Sequence, residues 1–129
     1  MPILGIDVGT QSLKALVLDD ALRAIGAGSV AYQPSYPRPG WGEQDPKLWL
    51  DALGPAIATA LSKAKLAPGD LRAMAVCGQL DGCVPTDAHG MPLGPALIWS
   101  DRRAEQELAA PHPAVIRDRC GLAIDPSHM

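Results

Sequence analysis

The chain has 129 residues, 47% of them hydrophobic, with 14 Asp plus Glu against 11 Lys plus Arg and a net charge of -3. That composition fits one folded domain with a core and excludes a disordered chain. No basic run interleaves with aromatics, and no apolar stretch reaches the ~18 residues of a membrane span, so neither nucleic acid nor a membrane is an expected partner.

The chain opens with an apolar run, Ile3, Leu4, Ile6 and Val8, which predicts a buried strand over Pro2 to Val8. The N-terminus has no charged n-region and no small-residue cleavage site, so no signal peptide is expected. Ser12 to Asp19 is predicted to be the partner strand. Ala24 to Tyr32 is a third, weakened by Gly26 and Gly28. Such short connections favour antiparallel meander pairing over a crossover unit.

Gln33 to Gln44 holds three prolines and two glycines and is predicted to be a loop. Asp45-Pro46 then starts a helix, with Asp45 as cap and Pro46 at the first helical position. Trp49, Leu53, Ala56, Ile57, Ala60 and Leu61 share one apolar face. Gly54-Pro55 lies inside this helix and predicts a kink or two abutting segments. Leu71 to Cys77 is predicted as a strand, Cys83 to Thr86 as a shorter one, and Asp87 to Gly90 as a hairpin turn. Pro95 to Trp99 forms another strand, and Ser100 or Asp101 caps a helix through Arg102 to Ala109. His112 to Cys120 is one more short helix. The order of elements is that of a mixed α/β fold. Three cysteines, Cys77, Cys83 and Cys120, show no C-x-x-C spacing. Reduced thiols are expected, with Cys77 packed in the core.

Gly5 to Lys14 carries the chemistry. A tight strand–turn–strand aims backbone N–H groups into one concavity, a nest that binds anions. Gly9 brings the backbone close to phosphate oxygens and allows positive φ. Thr10, Gln11 and Ser12 add hydrogen-bonding side chains, and Lys14 adds positive charge. Asp7 is an anion and so does not touch phosphate directly; it suits hydrated Mg²⁺ that bridges phosphates. From spacing alone, an ordinary hairpin with solvated side chains is an equal reading.

Gly5-Ile6-Asp7-Val8-Gly9-Thr10 resembles the first phosphate motif of the actin, hexokinase and heat-shock chaperone superfamily. Three further segments resemble the FGGY family of carbohydrate kinases, its xylulokinase-like members above all. They are Gly40-Trp41-Gly42-Glu43-Gln44-Asp45-Pro46 with Trp49 beyond it, Gly78-Gln79-Leu80-Asp81-Gly82, and Ala96 to Arg103. All four occur in the family's order, and together they cover nearly the whole chain.

The resemblance implies a ribonuclease H-like ATPase domain, with a mixed sheet and flanking helices. It implies an ATP-dependent kinase of a ketose or polyol, xylulose-like; the cytoplasm is the location expected from the reduced cysteines. Asp7 then serves Mg²⁺ and activity, and Gly9, Thr10, Gln11, Ser12 and Lys14 contact ATP. Gln79, Leu80, Asp81, Trp99 and Asp101 meet the sugar. Plain alternatives stand beside these roles: a turn acid for Asp81, core packing for Trp99, helix capping for Asp101. Trp41, Glu43 and Asp45 are read as structural. Relatives carry a His where Leu80-Asp81 stands, or Arg-Glu in glycerol kinases, so the exact sugar is open.

Family members are far longer, with two domains and the active site between them. Their general base and adenine pocket lie beyond residue 129. The expectation is therefore an N-terminal portion of the first domain, inactive alone and exposing an apolar patch. A homodimer of the full-length enzyme is a candidate assembly. The alternative is a non-catalytic nucleotide- or sugar-binding module of the same descent.

Overall fold

A computed structural model describes residues 1–109, 117–119 and 121. It contains strands β1 (Ile3–Val8), β2 (Ser12–Leu18), β3 (Ala24–Ala31), β4 (Glu43–Gln44), β5 (Ala73–Gly78) and β6 (Ala96–Leu97), and one α-helix, α1 (Pro46–Ala64). These divide into two compact units, residues 1–33 with 45–79, and residues 34–44 with those from 80 onward.

The first unit is a four-stranded sheet in the order β3-β2-β1-β5, with α1 packed on β2 and β3. β1, β2 and β3 pair antiparallel, the expected meander, whereas β5 runs parallel to β1. Period-two alternation sets the faces. Leu4 and Ile6 on β1 and Leu13, Ala15 and Val17 on β2 are buried in the core beneath α1.

Asp45 caps α1 by accepting the Lys47 N–H at 2.9 Å, and Pro46 opens the first turn. The helix runs through Gly54-Pro55 as one element rather than two abutting segments. Gly54 has no Cβ to meet the following proline ring. The buried stripe is Ala52, Ala56, Ala60 and Leu61, with Trp49, Leu53 and Ile57 half-buried beside it. The sequence pattern centres that face one position over and omits Ala52.

The reason lies in β3. A Cβ at Gly28 would stand 2.1 Å from the Ala56 carbonyl oxygen, and one at Gly26 2.2 Å from that of Ala60. The helix backbone rests directly on the strand. The two glycines expected to weaken β3 are what admit α1.

β5 differs from expectation. All six of its residues are exposed, with Met74 and Val76 each 61% accessible. Cys77, expected in the core, is therefore an exposed free thiol. Because α1 covers β2 and β3, no described element packs over β5, and its apolar side chains form an exposed patch.

In the second unit β4 pairs antiparallel with β6, Glu43 opposite Leu97 and Gln44 opposite Ala96. The strand expected over Pro95 to Trp99 shrinks to these two residues. Cys83 to Thr86 makes only isolated bridges, Cys83 to Leu97 and Thr86 to Pro92. Pro85, Pro92 and Pro95 have no N–H to extend a ladder. The Asp87 turn forms as expected, its carboxylate accepting the His89 and Met91 N–H groups. The helix expected over Arg102 to Ala109 is instead two 3-10 turns, Arg103–Glu105 and Glu107–Ala109. The Asp101 carboxylate holds the Arg103 N–H, and the Glu105 N–H closes an i+3 bond to Arg102. Of the short helix expected at His112 to Cys120, only residues 117–119 are described.

Candidate functional site

The β1–β2 connection is a tight turn closed by the Gly9 N–H donating to the Ser12 carbonyl at 3.0 Å. Gly9 does not adopt the positive φ expected of it; Gly40, Gly90 and Gly121 do among the described residues. Its need for glycine is steric. A Cβ there would lie 3.1 Å from the Ser12 carbonyl oxygen and 3.6 Å from Asp7 Oδ2.

Asp7 sits opposite Lys14 across the β1–β2 ladder, and Lys14 Nζ lies 3.6 Å from Asp7 Oδ2. Both side chains are solvent-exposed, so the pair contributes little to stability. The sequence left open which side Lys14 faces; the register places it with Asp7. Parallel pairing sets Asp7 beside Cys77, whose thiol donates to the Ile6 carbonyl at 3.4 Å. Asp7, Lys14 and Cys77 line an open concavity of about 540 Å³ with Leu16, Ala27 and Ser29.

The same parallel register carries the chain after β5 to the turn. The Gln79 N–H donates to the Val8 carbonyl at 3.0 Å, and the Thr10 hydroxyl donates to Gln79 Oε1 at 3.2 Å. Two residues predicted for different ligands, Thr10 and Gln79, are thus in direct contact. One contributor was absent from the sequence-based set. Tyr32, 7% exposed at the end of β3, donates its hydroxyl to the Gly9 carbonyl at 2.7 Å and its N–H to the Gln11 carbonyl at 3.0 Å. Burial, and then the Asp7 charge, hold its phenol above the ordinary value, which keeps the hydroxyl a donor. The meander register alone would have placed it opposite Gln11.

In the second unit, Leu80 is exposed, and Asp81 follows with φ 56°, a left-handed conformation that aspartate tolerates better than most residues. Trp99 is 48% exposed, so its ring is not packed away in a core.

Asp101 is wholly buried. Its carboxylate accepts the Gly42 N–H at 2.8 Å and the Arg103 N–H at 3.0 Å, and it pairs with the Arg103 guanidinium at 2.8 Å. Arg103 also reaches Glu43 at 2.7 Å and stacks on the Trp41 ring at 3.9 Å, with Arg38 over the same ring at 4.7 Å. Burial pushes the Asp101 carboxyl up. The Arg103 guanidinium and the two backbone N–H groups outweigh it and hold the group below the usual range. In this geometry Asp101 braces the Gly40–Glu43 loop against the segment after β6. Trp41 and Glu43 belong to that brace.

The chain is similar to a glycerol kinase of Thermococcus onnurineus, 35% identical over 126 residues, covering 95% of this chain and 26% of that protein. It is similar to a xylulose kinase of Staphylococcus xylosus, 34% identical over 106 residues, covering 82% of this chain and 22% of the relative. Among solved structures, a xyloylose kinase from Brucella ovis superposes with a TM-score of 0.91 at 30% identity, over 98% of this chain and 27% of that one. The chain thus spans about a quarter of the length of the curated relatives it matches. The fold is that of the actin and hexokinase-like ATPases, a mixed sheet with helices. The N-terminal domain model of one family matches residues 2–126, and the chain belongs to that family, the FGGY family of carbohydrate kinases.

Proposed function

We propose that residues 1–129 form the N-terminal portion of the first domain of an ATP-dependent kinase that phosphorylates a ketose or polyol, xylulose-like or glycerol-like, in the cytoplasm. The observation that carries this reading is the parallel β1–β5 register. It sets the Gly9–Ser12 turn, Asp7 and Gln79 at the same end of one sheet, with Thr10 touching Gln79. Kinases of glycerol and of xylulose both occur among the relatives, which supports the acceptor class and leaves the choice between ketose and polyol to the assay.

Among the described residues no group of three His, Cys, Asp or Glu could enclose a metal. A lone exposed carboxylate at a phosphate turn fits Mg²⁺, which keeps most of its waters and takes one or two protein oxygens beside the phosphates. Asp7 would hold that ion, which when bound neutralises charge on the transferring phosphoryl group. Thr10, Gln11 and Ser12 would orient the phosphates, with Lys14 as a nearby cation. Gln79, Leu80, Asp81 and Trp99 would meet the polyol, Trp99 through its apolar ring face. Asp101 would act by fixing the segment that carries Trp99. A carboxylate beyond residue 129 would accept the hydroxyl proton.

The test is turnover of the full-length protein with MgATP and either D-xylulose or glycerol. Asp7→Asn is expected to lower kcat by ~100-fold or more, the scale of losing a preorganised electrostatic group. Near-normal turnover in Asp7→Asn would exclude the Mg²⁺ role. Calorimetry on the 129-residue chain separates the binding-module reading, for which nucleotide heat appears while the full-length protein transfers no phosphate.

A further inference from the structure

The Gly9–Ser12 turn is held from beneath by a residue that none of the sequence motifs contains. Tyr32 makes two bonds to it, from its hydroxyl to the Gly9 carbonyl at 2.7 Å and from its N–H to the Gln11 carbonyl at 3.0 Å. The Ser12 carbonyl is taken by the Gly9 N–H. Three carbonyls that would repel a phosphate are therefore turned toward protein donors.

The described backbone has no cis peptide bond. In a planar trans peptide the C=O and the following N–H point in opposite directions. Tying the Gly9 carbonyl to Tyr32 consequently turns the Thr10 N–H away from Tyr32, to the outer side of the turn. Tying the Gln11 carbonyl to Tyr32 turns the Ser12 N–H toward β1 instead, into the hairpin. The second bond continues the β2–β3 ladder and forms whatever side chain stands at position 32. The first depends on the phenol oxygen alone. We propose that the Tyr32 hydroxyl is a positioning group for nucleotide binding. It fixes the Gly9–Thr10 peptide plane so that the Thr10 N–H is presented to a phosphate oxygen.

This rests on the kinase reading above, and the experiment separates the two. Tyr32→Phe keeps the buried ring and removes only the hydroxyl. MgADP affinity is measured by calorimetry on the full-length protein and on its variant, with the melting temperature recorded for each. The expected result is an affinity for MgADP lowered roughly tenfold, the scale of one hydrogen bond that holds a binding group in place, with affinity for D-xylulose or glycerol unchanged. A folded Tyr32→Phe with unaltered MgADP affinity, or an equal loss for both ligands, overturns the proposal. If the variant does not fold, the unmodified chain decides by amide NMR. The Thr10 N–H resonance should shift when MgADP is added, and a resonance that stays put while nucleotide binds overturns the assignment. Failure of the unmodified chain to bind MgADP at all overturns this proposal together with the nucleotide reading. Nucleotide binding that ignores Tyr32 overturns this proposal alone.

Discussion

Asp101 shows how a residue's surroundings fix its role. A buried carboxylate is tolerated when its lone pairs are taken, and here a guanidinium and two backbone N–H groups take them. Removing Asp101 leaves the Gly42 N–H without its acceptor and Arg103 with Glu43 alone, so Asp101→Ala should cost about 1 to 3 kcal/mol in a denaturant titration. The pH dependence follows in sign. The folded pKa lies below the ordinary value of 3.8, so the unfolded chain binds the proton first as pH falls. The stabilisation is complete above the ordinary value and is lost as pH drops through the lowered one. Melting temperatures recorded below about pH 5 should therefore fall more steeply for the wild-type chain than for Asp101→Asn. Parallel curves would mean that Asp101 does not govern acid stability.

At the level of elements, the contact between α1 and β3 is made by absence. Gly28→Ala places a methyl group 2.1 Å from the Ala56 carbonyl oxygen, and a helix backbone cannot give way as a side chain can. The expected loss is about 2 to 3 kcal/mol, visible as a lowered melting temperature. A melting temperature equal to wild type would mean that α1 can lift off β3 at no cost. This element also marks what could be read from the residues beforehand. The meander, the Asp45 cap and the Gly9–Ser12 turn were legible because hydrophobic alternation, a capping aspartate and a Gly-polar run each report local geometry. The parallel β5, the exposure of Cys77 and the Tyr32 bond to Gly9 were not, because each depends on which distant segment arrives alongside. An apolar run such as Leu71 to Cys77 gives its period but not its neighbours. The segment after Asp101 makes the expected capping bond to the Arg103 N–H yet winds as two 3-10 turns rather than a helix.

At the scale of the molecule, β5 is the least protected strand among the described residues. It presents an edge and two apolar faces, with Met74 and Val76 largely accessible. Exposed, flat, apolar edges invite strand pairing between molecules. The 129-residue chain is expected to self-associate at high concentration, and Val76→Lys is expected to shift sedimentation toward the monomer. A wild-type chain that stays monomeric at high concentration would show the edge to be harmless. The curated relatives that the chain matches are about four times this length. The glycine seam has a last consequence, for motion. Packed layers slide past one another when interlocking side chains can change rotamer between two fits. At Gly26 and Gly28 the α1 backbone itself meets the strand, with the Ala64 and Thr59 side chains alongside. A slide of α1 along the sheet would carry the Ala56 and Ala60 carbonyls off these glycines onto residues that bear a Cβ, so α1 and β3 are expected to move together. Any bending that accompanies ligand binding has to occur outside that joint.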